Sequence, residues 1–97
     1  MNLQTETIIL VEKEAIENFN FPEQEVLNSQ EEKAERRFNA EKAMKLGNYF
    51  KDKVKIIFED AEGMKMVETT VWGVTDRKLL LKRGITIPLN RIYEIVI

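Results

Sequence analysis

The stretch from Lys53 to Ile97, KVKIIFEDAEGMKMVETTVWGVTDRKLLLKRGITIPLNRIYEIVI, decides the fold. From Val54 its residues alternate, with Val54, Ile56 and Phe58 on one side and Lys53, Lys55 and Glu59 on the other, the period of two that marks a half-buried strand. Ile57 interrupts the alternation. The polar cluster Glu59-Asp60-Ala61-Glu62 then ends on Gly63, which adopts a left-handed backbone at little steric cost, so a hairpin turn is expected there. A second strand from about Lys65 to Thr75 sets Val67, Thr69 and Val71 on one face and Glu68, Thr70 and Trp72 on the other. Gly73 leaves a gap in that side-chain row and marks a bulge or a bend where the sheet curls.

Beyond it, Thr75-Asp76-Arg77 reads as a turn and Lys78-Leu79-Leu80-Leu81-Lys82 as a third strand whose consecutive leucines imply burial on both faces. Arg83-Gly84 turns the chain again into a short fourth strand, Ile85-Thr86-Ile87, stopped by Pro88, which has no backbone donor to continue a ladder. Pro88-Leu89-Asn90-Arg91 has the length of one tight helical turn. The last six residues, Ile92 to Ile97, form a fifth strand so apolar that it should be paired. Five short strands, a bent second strand and one helical turn before the last describe a small SH3-like or Sm-like barrel, residues 51–97.

Two runs carry a resemblance. Val67-Glu68-Thr69-Thr70-Val71-Trp72 and Ile87-Pro88-Leu89-Asn90-Arg91-Ile92-Tyr93-Glu94-Ile95 resemble an uncharacterised family of short bacterial cytoplasmic proteins, over roughly the second half of the chain from Leu46 onward. The resemblance implies a fold and a cytoplasmic setting, and no activity. More widely, the chain is similar to Sm-like barrels, in which a helix precedes the strands. Lys82-Arg83-Gly84 stands where such barrels often place an RNA-contacting turn, whereas Thr75-Asp76-Arg77-Lys78 lacks the Asn of their companion loop.

In the first half, Ser29 and Glu32 have capping-box spacing and Gly47 is placed to end a helix, so we expect helix from about Gln30 to Leu46. Ala34, Phe38 and Leu46, with Ala43 beside them, fall near one face. Pro22-Glu23-Gln24-Glu25 resembles a first turn and offers an earlier start. Thr5 to Val11 is read as a strand, although Ile8, Val11, Ala15 and Phe19 also fit a helical stripe. Such a strand, separated from the barrel by the helix, could pair with its own barrel or with a neighbour's. The class is therefore α+β, mainly β with an N-terminal helix. Residues 1–50 form an extension packed on the barrel, and the whole is a single folding unit.

Composition narrows the chemistry. The chain of 97 residues has neither cysteine nor histidine, which removes disulfides, thiolate metal sites, the commonest general base and the commonest zinc ligand. We expect no enzyme, no cofactor and no small-molecule substrate. No apolar run approaches the roughly 20 residues of a membrane span, so we expect no membrane partner and a cytoplasmic location. Net charge is −2, but residues 1–50 carry ten acidic and six basic side chains, against seven acidic and nine basic in residues 51–97. Packing of the acidic extension on its own mildly basic barrel is the favoured account of this asymmetry.

Candidate contacts follow from these patterns. Arg77, Lys78, Lys82, Arg83 and Arg91, from turns that could share one end of a barrel, could grip single-stranded nucleic acid with Trp72 as a stacking surface; the alternative is that the charges keep turns solvated and Trp72 is core or lies under the helix. Tyr49 and Phe50, in the link after the helix, either plug the seam or present a partner surface. Glu59, Asp60 and Glu62 supply too few oxygens for calcium's six to eight and read as a solvated turn, so no metal site is expected. The function expected is a non-enzymatic interaction module that self-associates or docks on a protein partner; the alternative is a single-stranded nucleic-acid-binding regulator.

Overall fold

The computed structural model describes residues 7–97. Strands β2 (Val54–Asp60) and β3 (Gly63–Thr69) form the expected hairpin, tighter than read: the turn is only Ala61-Glu62, and Gly63 takes φ +148°. Val54, Ile56 and Phe58 are buried and Lys53 and Lys55 exposed, as the alternation required. The long second strand is broken at Thr70. Its first part lies in one sheet, ordered β1 (Ile9–Leu10), β3, β2, β7 (Ile92–Val96), while its second part, β4 (Val71–Val74), lies in another, ordered β4, β5 (Lys78–Leu81), β6 (Thr86–Pro88). The register shifts between Val71 and Gly73, leaving Trp72 as the extra residue of a bulge beside the glycine.

Strand β5 (Lys78–Leu81) buries Leu79 and Leu81, whereas Leu80 is half-buried, so the strand is covered fully on one face only. A 3-10 turn at Lys82–Gly84, with Arg83 at φ 67° and Gly84 at φ 76°, leads to β6 (Thr86–Pro88). Pro88 closes β6 rather than following it, and the expected helical turn is a 3-10 turn at Leu89–Arg91. Strand β7 (Ile92–Val96) pairs antiparallel with β2. Neither sheet closes on itself, and the class is α+β.

The helix α1 runs over Gln30–Phe50 and starts at the expected capping box: Ser29 Oγ accepts the Glu32 N–H at 3.0 Å and Glu32 accepts the Ser29 N–H at 3.3 Å. It does not begin at Pro22, because residues 20–26 are an irregular segment with bends at Glu23, Gln24 and Val26, whose backbone groups bond to distant parts of the chain instead of to a helical turn. Nor does it end at Gly47. That glycine is buried where α1 crosses β4, and a Cβ there would sit 2.2 Å from the Val71 carbonyl oxygen. The chain leaves the helix one turn later through Lys51, at φ 60°. The buried face is Arg36, Ala40, Ala43 and Gly47, not the expected Ala34 and Phe38, both of which are exposed. Small side chains let the helix lie close on β4 and reach β7, one edge strand from each sheet.

Before α1, strand β1 (Ile9–Leu10) pairs parallel with β3 of its own sheet, so the expected strand is present in part and pairs within the chain; Thr5 and Glu6 lie outside the described residues. A 3-10 turn at Lys13–Asn18 buries Ile16, and Phe19 and Phe21 pack on Phe58 with ring centroids 6.3 and 6.0 Å away. These tilted aromatic contacts, worth about 0.5–1.5 kcal/mol each beyond the area they bury, close the core at that end. Among the described residues no helix is long and apolar enough to cross a membrane.

Candidate partner-docking cleft

Residues 20–26 form a strap fixed by bonds to distant parts of the chain. Asn20 accepts the Ala61 N–H at 2.8 Å, Asn90 Nδ2 donates to the Glu23 carbonyl at 2.6 Å, and the Val26 N–H donates to the Asn90 carbonyl at 2.9 Å. Arg91, which is buried, donates through Nε to the Glu59 carbonyl at 3.0 Å and through Nη1 to the Gln24 carbonyl at 2.7 Å. Arg36 grips both oxygens of Glu25 at 2.7 and 2.8 Å and also donates to the Ile92 carbonyl at 3.0 Å. That two-pronged bond holds the Glu25 carboxyl below its usual pKa against the opposing effect of burial, helped by the Leu27 N–H and by Lys33.

Between this strap, the first half of α1, the β4–β5 turn and the end of β6 lies a cleft of about 750 Å³. Its apolar part is Phe21, Pro22, Pro88 and Leu89. Lys33 and Arg37 line it from α1, and Arg77 and Lys78 from the turn, with Glu23 and Asp76 as the acids besides the neutralised Glu25. Thr75 builds the turn by accepting the Arg77 and Lys78 N–H groups on Oγ1 at 3.3 and 3.0 Å. Arg37 steadies it through a 2.7 Å bond to the Thr75 carbonyl and a 3.7 Å ion pair with Asp76. Among the described residues Lys33, Arg77 and Lys78 form no salt bridge. A smaller hollow of about 300 Å³, reaching to Gly84, shares Phe21, Lys78 and Pro88 with the cleft. The two volumes lie in the range of sites that hold small ligands or short peptide segments.

The residues singled out from sequence do not form one surface. Arg77 and Lys78 enter the cleft, whereas exposed Lys82 and Arg83 lie at the far end of β5, about 10 Å of strand away. Arg91 is not a surface cation, because its guanidinium is committed to the strap and to Glu59. Trp72 is half-buried, Lys51 Nζ lies 4.7 Å over its ring, and its indole nitrogen is buried with no hydrogen-bond partner among the described residues, so it is not an open stacking platform. Tyr49 and Phe50 are the last residues of α1, at 78% and 68% exposure, and plug no seam.

The acidic turn is also corrected. Asp60 is buried, 2.7 Å from the buried Lys65 ammonium, and accepts the Glu62 and Gly63 N–H groups at 3.0 and 3.1 Å. Glu59 accepts the Tyr93 hydroxyl at 2.7 Å. Among the described residues no three acids, cysteines or histidines are grouped to hold a metal ion. Lys33, Arg37, Asn90 and the Phe21-Pro22 pair escaped the sequence reading of the site. The basic Lys33, Arg36 and Arg37 at helical spacing were a usable signal, hidden among the glutamates of the same helix.

A comparison with known protein families, with curated proteins and with solved structures finds no significant match.

Proposed function

We propose that this chain is a non-enzymatic interaction module on a small barrel of the SH3-like or Sm-like kind, and that it docks a protein partner through the cleft. Support for the barrel comes from the strand passing from one sheet to the other at Thr70, the 3-10 turn before β7, and the return of β7 onto β2. The observation that carries the function is the pairing in the cleft of an apolar floor with Lys33, Arg77 and Lys78, cations that the chain itself leaves without salt bridges among the described residues. A short segment with carboxylates beside an apolar anchor meets both features. The apolar contact provides affinity, and the charges provide orientation and speed of encounter.

Fluorescence anisotropy with labelled acidic peptides carrying one aromatic anchor tests this. Arg77→Glu with Lys78→Glu should weaken binding by at least about tenfold, as expected where like charges are juxtaposed. Peptide binding indifferent to both substitutions would refute the assignment.

A further inference from the structure

The outer face of α1 carries a second pattern, independent of the cleft. Arg36, Ala40, Ala43 and Gly47 are buried. The same spacing shifted by two residues, roughly 200° around the helix, gives Phe38, Lys42, Lys45 and Tyr49 on the opposite side. All four are exposed, Phe38 at 65% and Tyr49 at 78%. Large aromatic side chains so open to water need a reason, since burying one contributes roughly 2 kcal/mol. Phe50, the last residue of the helix, and Lys51 after it are also exposed, beside the end of the stripe. From Lys42 to Lys55 the chain, acidic overall, has five lysines and one acid, Asp52. All five lysines are exposed, and none forms a salt bridge among the described residues.

We propose that this face binds single-stranded nucleic acid, with Lys42 and Lys45 on phosphates and Phe38 and Tyr49 stacking against bases. The order of the residues favours that occupant. The two rings stand eleven residues apart, about 16 Å along the axis, with the lysines between them. A single strand presents the same alternation, planar bases beside a charged backbone, and a span of this size suits about four nucleotides, the low end for small binders. An anionic membrane would need the apolar groups gathered on one line with cations at its margins. Here the cations occupy the centre line, where insertion of the rings would bury them. The chemistry expected of the turns at Arg77, Lys82 and Arg83 thus moves to the helix.

The test uses the full chain and a fluorescein-labelled oligo(dT) of about twelve nucleotides, followed by anisotropy. With two phosphate contacts, from Lys42 and Lys45, the affinity should fall about sevenfold between about 50 and about 200 mM salt. Lys42→Glu with Lys45→Glu should weaken binding at least tenfold, and Tyr49→Ala should weaken it while Tyr49→Trp restores it, stacking being worth roughly 1–3 kcal/mol per base. Lys82→Glu with Arg83→Glu, and the cleft pair Arg77→Glu with Lys78→Glu, should leave it unchanged, which separates this surface from the cleft. No binding at low salt overturns the proposal. So does binding that ignores Lys42 and Lys45, or binding to phosphatidylserine vesicles in place of the oligonucleotide.

Discussion

Lys65 Nζ and Asp60 Oδ1 lie 2.7 Å apart with their side chains 7% and 2% exposed, an ion pair sealed within the β2–β3 hairpin. The Phe19 ring covers it, its centroid 5.0 Å from the ammonium. Such a pair contributes little net stability against an apolar replacement of both partners, but removing one leaves a buried charge. Lys65→Met should therefore cost about 3–5 kcal/mol, read from the shift in urea midpoint. A change under about 1 kcal/mol would mean that Asp60 is solvated.

Acid should act through the same carboxylate. Burial pushes the Asp60 carboxyl up, but the Lys65 ammonium and the Glu62 and Gly63 N–H groups together outweigh it, and Asp60 titrates below its usual range; Glu25, held by Arg36, does likewise. A lowered folded-state pKa gives stability that is complete above the ordinary carboxylate range, about 4, and lost as pH falls through the lowered values. Stability measured by denaturant titration at decreasing pH should fall there, and Asp60→Asn should flatten the decline while lowering stability at neutral pH.

Gly47 separates helix propensity from packing. Alanine is favoured over glycine inside a helix by about 1 kcal/mol, yet here its Cβ would meet the Val71 carbonyl oxygen at 2.2 Å and the Thr70 methyl at 2.9 Å. Backbone cannot swing aside as a flexible side chain can. Gly47→Ala should thus destabilise by about 1–3 kcal/mol, the usual cost of overpacking, and thermal unfolding would show a lowered midpoint.

The strap depends on Arg91. Replacing it with methionine removes donors to the Glu59 and Gln24 carbonyls. Hydrogen exchange at Val26, whose N–H bonds to the Asn90 carbonyl, should then quicken at least about tenfold, while the β2–β7 ladder near Ile56 and Ile95 stays protected. Equal loss of protection in both places would show that the strap and the sheets open together.

What was legible in the chain was local. Alternation at Val54, Ile56 and Phe58 announced β2, and Ser29 with Glu32 announced the start of α1, because each signal lies within a few residues of what it specifies. Gly73 announces a bulge or a bend, and the bulge is there; the change of sheet comes three residues earlier, at Thr70. Gly47 read as a stop, since only the Val71 carbonyl, invisible until the helix is docked, explains it. The strap was illegible for the same reason: its hydrogen bonds span 67 residues to Asn90 and Arg91, and no periodicity records them. Half of the cleft was therefore hidden, although Arg77 and Lys78 were picked out. Phe38 shares an apolar stripe with Ala34 and Leu46 yet is exposed, because apolar character alone does not choose a helix face when the close approach requires alanine and glycine.

The most direct test of the docking proposal is amide chemical-shift mapping of the isotope-labelled chain during titration with an acidic peptide bearing one aromatic anchor. Saturable shifts concentrated at Lys33, Arg37, Arg77, Lys78 and Asn90 are predicted. Shifts confined to Phe38, Tyr49 and the C-terminal end of α1, or none in the cleft at saturating peptide, would contradict it.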